Sequence, residues 1–169
     1  MQNKTLTKVH NKLLRQEKTI AIAESCTGGL LCSELTRNPG ASGYFLLGVV
    51  AYSNNSKEKM LQIPAKLISK YGAVSSQVAI SMADNIRKIA KADLGIGITG
   101  IASPMNAQHF YGAGPKGATT TKPTGTVFIA LATGNKILCR SFIFDGSREN
   151  IRQHATLEAL RLLCVHLSL

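Results

Sequence analysis

The sequence lacks features that several classes of protein need. No apolar run approaches the roughly 20 residues of a membrane-spanning helix. The polar and basic residues 1–18 lack the apolar stretch of a secretory signal. The five phenylalanines and four tyrosines do not alternate with basic residues, as aromatic residues do in proteins that bind single-stranded nucleic acid. We therefore expect a cytoplasmic protein, and neither a membrane nor nucleic acid is an expected partner.

Cysteine and acidic residues are also few. The four cysteines show no CxxC spacing and no accompanying pair of histidines, so neither a zinc site nor a disulfide framework is indicated. Nine acidic residues against 20 lysines and arginines give a net charge of +11, spread along the whole chain. This charge favours an anionic small-molecule ligand, with nucleic acid as the weaker alternative.

The apolar pattern is that of an α/β protein. Residues 1–169 are long enough for one domain, and no linker or repeat divides them. Apolar spacing and turn residues predict helices at 5–16, 29–37, 56–61, 64–71, from Ser75 or Ser76 onward, and at 149–167, with strands at 19–23, 44–52, 94–100, 125–133 and 136–144. Gly134-Asn135 predicts an antiparallel hairpin. The fold class is therefore a single three-layer α/β/α domain with a mixed sheet.

Two further features of this pattern bear on the site. The strand at 44–52 is apolar on both faces, which predicts that helices cover both of its sides. A loop over residues 101–124, rich in Gly, Thr and Pro, is longer than most loops in compact domains and is predicted to be functional.

Hydroxyl groups follow the first three predicted strands. They lie in "ESCTGG" after the first strand, in "YSNNSK" after the second, and in "ITGIASP" at the end of the third. Ligands of open α/β sheets bind beyond the carboxyl ends of the strands. If the three strands are neighbours, these segments form one site.

Ser25 has two interpretations from its local sequence. On a tight turn before a helix it faces free backbone N–H groups, which can stabilise an oxyanion or bind a phosphate. Gly28 and Gly29 let the backbone approach a ligand closely. Alternatively, Ser25 or Thr27 only caps the helix. The preceding Glu24 either caps a neighbouring element or binds a cation.

Lys57 and Tyr52 are the candidate activators of Ser25. None of the four histidines occupies metal spacing or an order that suits a catalytic triad. A lysine becomes a base when a desolvated pocket lowers its pKa towards neutrality, although a lysine early in a helix is more often a solvated surface group. Tyr52 ends an apolar strand and is otherwise a rim residue with a wet hydroxyl.

Several separated motifs resemble one known family. They are "AESCTGGLL", "GVVAYSNNSK", "GAVS", "GIGITGIASP", "KPTGTVFIALA" and the closing R-x-x-A-x-x-x-A-L of residues 152–160. Their order and spacing are similar to those of the CinA C-terminal domain family over about residues 5–165. The other CinA domain, fused in some members, is absent from this sequence, which resembles the stand-alone, PncC-like members.

The resemblance implies an amidohydrolase that converts nicotinamide mononucleotide to nicotinate mononucleotide and ammonia in pyridine-nucleotide recycling. It implies no metal or organic cofactor, and it makes a homo-oligomer plausible. By resemblance Ser25 is the nucleophile, Lys57 and Tyr52 assist it, and Thr99, next to Gly100, contacts the substrate. The N–H groups of Cys26 and Thr27 would form the oxyanion hole, and the helix opened by Gly28 and Gly29 would hold the 5′-phosphate. Thr27 would then cap that helix.

The sequence departs from the family pattern after the third strand. Where the family commonly has G-I-A-G-P, this chain has "GIASP", so Ser103 replaces a glycine. The loop that follows is longer and basic, whereas it is usually short and often acidic in the family. The competing interpretation is a non-catalytic nucleotide-binding or nucleic-acid-binding homologue with the same fold.

Overall fold

The structure, a computed structural model, describes residues 2–103 and 122–168. In these residues the elements follow the order α1 (Gln2–Arg15), β1 (Ile20–Glu24), α2 (Leu30–Leu35), β2 (Phe45–Val50), α3 (Asn54–Leu61), α4 (Ala65–Tyr71), α5 (Ser76–Ala90), β3 (Leu94–Gly100), β4 (Thr126–Ala132), β5 (Ile137–Ile143) and α6 (Arg148–His166). A 3-10 turn, Ala41–Gly43, precedes β2. No helix within the described ranges is both long and apolar enough to cross a membrane.

The five strands form one mixed sheet in the order β2-β1-β3-β4-β5. Strands β2, β1 and β3 are parallel, with the central β1 paired to both neighbours. The hairpin β4–β5 is antiparallel and closes where Thr133 N donates to Lys136 O at 2.8 Å. The hairpin predicted from Gly134-Asn135 is confirmed, and so is the mixed sheet.

Helices cover both faces of this sheet. Alternation along β1 sends Ile20 and Ile22 into a core shared with α1, α2 and α6, whereas Ala21 and Ala23 enter a second core with α3, α4 and α5. The predicted three-layer α/β/α arrangement is confirmed. The small side chains on the second face let α5 pack closely on the sheet.

Glycines in β3 make this approach possible. A Cβ atom on Gly95 would lie 2.1 Å from the carbonyl oxygen of Ala83, and one on Gly97 would lie 2.4 Å from that of Ala79. Both oxygens belong to the backbone of α5, which cannot move aside as a flexible side chain can. The "GIG" of β3 is therefore a packing requirement that places α5 beside the carboxyl ends of the parallel strands.

The prediction for β2 is wrong in one respect. Its residues alternate between half-buried and exposed, so only one of its two faces is covered. Leu46 and Val50 are each 47% exposed. An apolar run predicts a strand, but it does not show whether helices pack on both of its faces, because that depends on the tertiary arrangement.

The long loop predicted at 101–124 is described only at its ends. Residues 104–121 lie outside the described part of the chain. The ends are tied together, since Ile101 N donates to Thr126 O at 2.9 Å and Gly125 N donates to Ile101 O at 2.7 Å. The connection thus leaves and rejoins the sheet at neighbouring positions of β3 and β4.

Candidate active site

Three polar segments meet at the carboxyl ends of the parallel strands. Ser25 directly follows β1, Tyr52 lies two residues beyond β2, and Thr99 and Gly100 close β3. Because β1 pairs in parallel with both β2 and β3, these ends share one edge of the sheet. The three strands are therefore neighbours, as a single site formed by their ends requires.

Ser25 and Lys57 are in direct contact. Lys57 Nζ donates to Ser25 Oγ at 3.0 Å. Lys57 is fully buried and Ser25 is 7% exposed. Lys57 is the fourth residue of α3, whose start is fixed by a capping box in which Ser53 Oγ accepts from Ser56 N and Ser56 Oγ accepts from Ser53 N. The cap fixes the turn of helix from which the lysine reaches Ser25.

The remaining hydrogens of the Lys57 amine are also used. Nζ donates to the carbonyl oxygens of Ala51 and Tyr52 at 2.8 and 3.2 Å. Burial lowers the pKa of Lys57 from 10.5 to about 8. A neutral amine held by these two carbonyls would aim its lone pair at Ser25 Oγ. The geometry therefore suits Lys57 as a base towards the serine.

Cys26, next to the serine, does not compete as a nucleophile. Its side chain is 5% exposed, and burial raises the pKa of its thiol to about 12. A thiol that keeps its proton at neutral pH is a poor nucleophile. What Cys26 offers the site is its backbone N–H, which, like that of Thr27, donates to no backbone carbonyl among the turn and loop bonds of the described residues.

Glu24 caps α2. Its fully buried carboxylate accepts from Gly29 N at 3.0 Å, from Leu31 N at 3.3 Å and from Cys32 N at 2.8 Å. This decides between the two roles left open for Glu24. It also corrects the expectation of a phosphate at this helix end, because the carboxylate already occupies those N–H groups.

The capping role expected for Thr27 is wrong for the same reason. The N-cap of α2 is Gly29, which makes no side-chain capping bond. Thr27 is fully buried, and within the described part of the chain its hydroxyl has no hydrogen-bond partner. Gly28 and Gly29 have φ angles of +63° and +96°, which favour glycine and bend the turn back over the serine.

Tyr52 lies at the rim rather than between Ser25 and Lys57. The tyrosine is 50% exposed, and its hydroxyl accepts from Arg148 Nη2 at 2.8 Å. Arg148 Nη1 also donates to Ser103 Oγ at 3.1 Å. Tyr52, Arg148 and Ser103 are thus joined by hydrogen bonds, and we call these three residues the rim of the site. The rim includes Ser103, the residue that departs from the family pattern. The assistance to Ser25 that the resemblance implies for Tyr52 is not present as a hydrogen bond between its hydroxyl and Ser25 or Lys57, and Tyr52→Phe tests it.

Thr99 and Gly100, at the end of β3, make packing and hydrogen-bond contacts beside the serine turn. Thr99 is 1% exposed, and its hydroxyl donates to Ala73 O at 2.8 Å in the α4–α5 connection. A Cβ on Gly100 would lie 2.7 Å from Val127 Cγ2 and 3.0 Å from Cys26 Sγ. Gly100 therefore lets the serine turn pack against β3. Their substrate contacts, like those of Cys26, Thr27, Gly28 and Gly29, stay predictions.

Two arginines of α6 complete the surroundings of the serine turn. Arg148 lies at the rim, and Arg152 donates to the carbonyl oxygen of Thr27. Arg152 belongs to the closing R-x-x-A-x-x-x-A-L motif, but neither it nor Arg148 was predicted as a site residue. Both follow Ser147, whose side chain caps α6, so the start of that helix was the available signal. Among the described residues, no group of three or more His, Cys, Asp or Glu side chains is arranged to hold a metal ion.

Comparison with known proteins agrees with this arrangement. The family model described as the CinA C-terminal domain matches residues 2–167. A CinA-like protein of Leptospira biflexa is 43% identical over 156 residues, which are 92% of this chain and 35% of that protein. One of Geotalea uraniireducens is 45% identical over 134 residues, covering 79% of this chain and 29% of that protein. The chain thus spans about a third of the length of these relatives.

Solved structures of similar length share the fold. A CinA superfamily protein of Klebsiella pneumoniae has a TM-score of 0.89 and 28% identity, with 99% of this chain and 98% of that chain covered. A competence/damage inducible protein of Agrobacterium tumefaciens has a TM-score of 0.87 and 28% identity, covering 99% and 96%. The family match over nearly all residues and the shared fold lead to one conclusion: this chain belongs to the CinA C-terminal domain family.

Proposed function

We propose that this chain is an amidohydrolase that deamidates nicotinamide mononucleotide to nicotinate mononucleotide and ammonia. The observation that carries the proposal is the 3.0 Å contact between Lys57 Nζ and Ser25 Oγ, with the lysine fully buried. Serine–lysine pairs of this kind serve acyl transfer on unrelated folds. The resemblance supplies the substrate.

The first half-reaction acylates the serine. Neutral Lys57 takes the proton from Ser25 Oγ as the oxygen attacks the carboxamide carbon. The N–H groups of Cys26 and Thr27 stabilise the oxyanion. The carbon–nitrogen bond then breaks, and Lys57 returns the proton to the nitrogen, so ammonia leaves and an ester with Ser25 remains.

The second half-reaction regenerates the enzyme. Lys57 takes a proton from water, whose oxygen attacks the ester carbon. Collapse breaks the bond to Ser25 Oγ, which recovers the proton from Lys57. The sum is one amide and one water converted to a carboxylic acid and ammonia, which exchange a proton in solution. No metal or organic cofactor enters these steps.

The rim supports recognition of an anionic mononucleotide. Arg148 reaches over the site from α6 and already bonds two hydroxyls, those of Tyr52 and Ser103. An arginine held in this way suits a phosphate, whose oxygens accept from both ends of the guanidinium. Since Glu24 occupies the end of α2, Arg148 is the group we assign to the 5′-phosphate. The net charge of +11 would also attract such a substrate.

The same resemblance supports the cellular setting that we propose. It is a homo-oligomer in the cytoplasm, acting in pyridine-nucleotide recycling. Light scattering on the purified protein tests the oligomer: a particle of twice 18.1 kDa or more agrees with it, and one of 18.1 kDa contradicts it.

Ammonia release from nicotinamide mononucleotide tests the activity. We expect release by the wild type and a loss of at least about 10³-fold in Ser25→Ala. Ser33→Ala is the matched control, because Ser33 is an exposed serine on α2. No release by folded wild-type protein would contradict the proposal.

The second candidate is a non-catalytic homologue that binds nucleotides or nucleic acid, favoured by the net charge of +11. A gel shift with single-stranded or double-stranded DNA, repeated at rising salt, separates the two. Retarded DNA with a steep salt dependence, together with no ammonia release, would favour this candidate.

A further inference from the structure

Arg152 of α6 bonds the backbone of the serine turn. Its Nε and Nη2 atoms donate to the carbonyl oxygen of Thr27 at 3.2 and 3.0 Å. Its third nitrogen, Nη1, donates to Glu149 Oε2 at 3.0 Å. The Arg152 side chain is 26% exposed, and its guanidinium is bonded along two edges, which fixes its orientation towards the turn.

Gly28 favours this contact. A Cβ atom on Gly28 would lie 3.3 Å from Arg152 Nη2, and its φ of +63° is in the left-handed region. A side chain at this position would be strained by the backbone conformation and would crowd the guanidinium where it bonds the backbone oxygen. The first glycine of "CTGG" has this use in addition to bending the chain.

The carbonyl that Arg152 binds begins a series of two peptide groups. The Thr27–Gly28 peptide accepts from Arg152 at its oxygen, and its N–H donates to the carbonyl oxygen of Ser25 at 3.1 Å. The Ser25–Cys26 peptide accepts that bond at its oxygen and ends in the N–H of Cys26. Each accepted bond polarises the peptide and strengthens its own N–H as a donor.

We propose that Arg152 is a positioning residue that orients and polarises the Cys26 N–H towards the oxyanion through these two peptide groups. The proposal rests on the proposed function for its reaction, because the oxyanion is the one formed when Ser25 attacks the carboxamide. The hydrogen bonds of the Arg152 guanidinium go to Thr27 and Glu149, and none goes to Ser25. The effect of Arg152 passes through the backbone of the turn and appears in the transition state, where the negative charge develops.

A merely structural role for Arg152 would have a different signature. An arginine that only tied α6 to the turn would change the free energy of unfolding and leave the chemical step intact. The proposal instead predicts a lower kcat with little change in KM, because the Cys26 N–H binds the oxyanion more strongly than it binds the neutral amide.

The test combines two readouts on Arg152→Ala. We expect kcat for ammonia release to fall by about 10- to 100-fold with KM within about threefold of the wild type. We also expect the amide proton of Cys26 to move upfield in the ¹H–¹⁵N spectrum of the free protein. Arg161→Ala is the matched control, since Arg161 lies on the same helix and bonds Glu158.

The second readout needs no turnover. If the wild type releases no ammonia, the proposed function fails, and the Cys26 shift alone decides the role of Arg152. An unchanged kcat with a lower melting temperature, an unchanged amide shift, or an equal shift in Arg161→Ala would contradict the role. If Arg152→Ala does not fold, Arg152→Lys replaces it. The lysine keeps one bond to Thr27, so we expect a smaller loss of kcat. If Arg152→Lys has the kcat and the Cys26 amide shift of the wild type, the proposal is contradicted.

Discussion

Tyr52 and Lys57 belong to one short segment but occupy opposite environments. Tyr52 is 50% exposed and its hydroxyl bonds Arg148, whereas Lys57 is fully buried and its amine bonds Ser25. The two meet only through the backbone, where the carbonyl of Tyr52 accepts from the lysine. Residues 52 and 57 are thus close in sequence, but one side chain lies at the solvent-exposed rim and the other is desolvated beside Ser25. Desolvation makes the amine a base, while exposure keeps the rim open to a charged ligand.

Replacing the buried amine is the strongest test of this separation. We expect Lys57→Met to lower kcat for ammonia release by about 10²- to 10⁴-fold, because no other described side chain is placed to take the proton of Ser25. Lys59→Met, an exposed lysine on the same helix, is the control and should keep wild-type activity. A Lys57→Met protein with more than a tenth of wild-type kcat would remove the lysine from the mechanism.

The same variant has a stability signature that depends on pH. Burial lowers the pKa of Lys57 from 10.5 to about 8, so the unfolded chain binds this proton more tightly than the folded one. The wild type should therefore gain stability relative to Lys57→Met as pH rises from 7 to 10. The full gain is about 3 kcal/mol.

Urea unfolding of both proteins at several pH values measures this gain. The comparison of Lys59→Met with the wild type should show no such trend, since Lys59 is exposed. A difference between wild type and Lys57→Met that is independent of pH would mean that the lysine amine is not desolvated.

At the rim we expect an effect on binding rather than on chemistry. Arg148→Met should raise KM for nicotinamide mononucleotide by about 10- to 100-fold, the range for losing a hydrogen bond to a charged group, with kcat nearly unchanged. Steady-state kinetics with Arg161→Met as control checks it. If kcat falls and KM stays unchanged, Arg148 acts in the chemical step rather than in binding.

Tyr52 should give the smallest effect. Tyr52→Phe keeps the ring and the backbone carbonyl that Lys57 uses, and it removes only the hydroxyl that bonds Arg148. We expect kcat to change by less than about threefold. A loss comparable to that of Lys57→Met would show that the hydroxyl enters the site during the reaction, and the rim would then be part of the catalytic machinery.

Sequence patterns predicted those features of the helices and strands that depend on neighbouring residues in the chain. The strand at 94–100 has the predicted bounds, and the cap of α5 is Ser75, one of the two serines that were named. Three hydroxyl-rich strand ends pointed to one site because parallel strands share an edge. The contact of Ser25 with Lys57 came from resemblance and chemistry, since the residues are 32 apart in sequence.

Features set by tertiary packing could not be predicted in this way. Glu24 occupies the N–H groups at the start of α2, which a local sequence cannot distinguish from a free anion site. The edge position of β2 depends on the order of strands. Arg152 reaches the serine turn from the last helix across a separation of 125 residues, and Arg148 reaches Tyr52 across 96.

The dependence of kcat/KM on pH tests most directly whether buried Lys57 is the base. The amine must be neutral to take the proton of Ser25, so kcat/KM for ammonia release should rise with pH through an apparent pKa near 8. A profile that is flat between about pH 6 and 9.5, or one that falls across this range, would contradict the account.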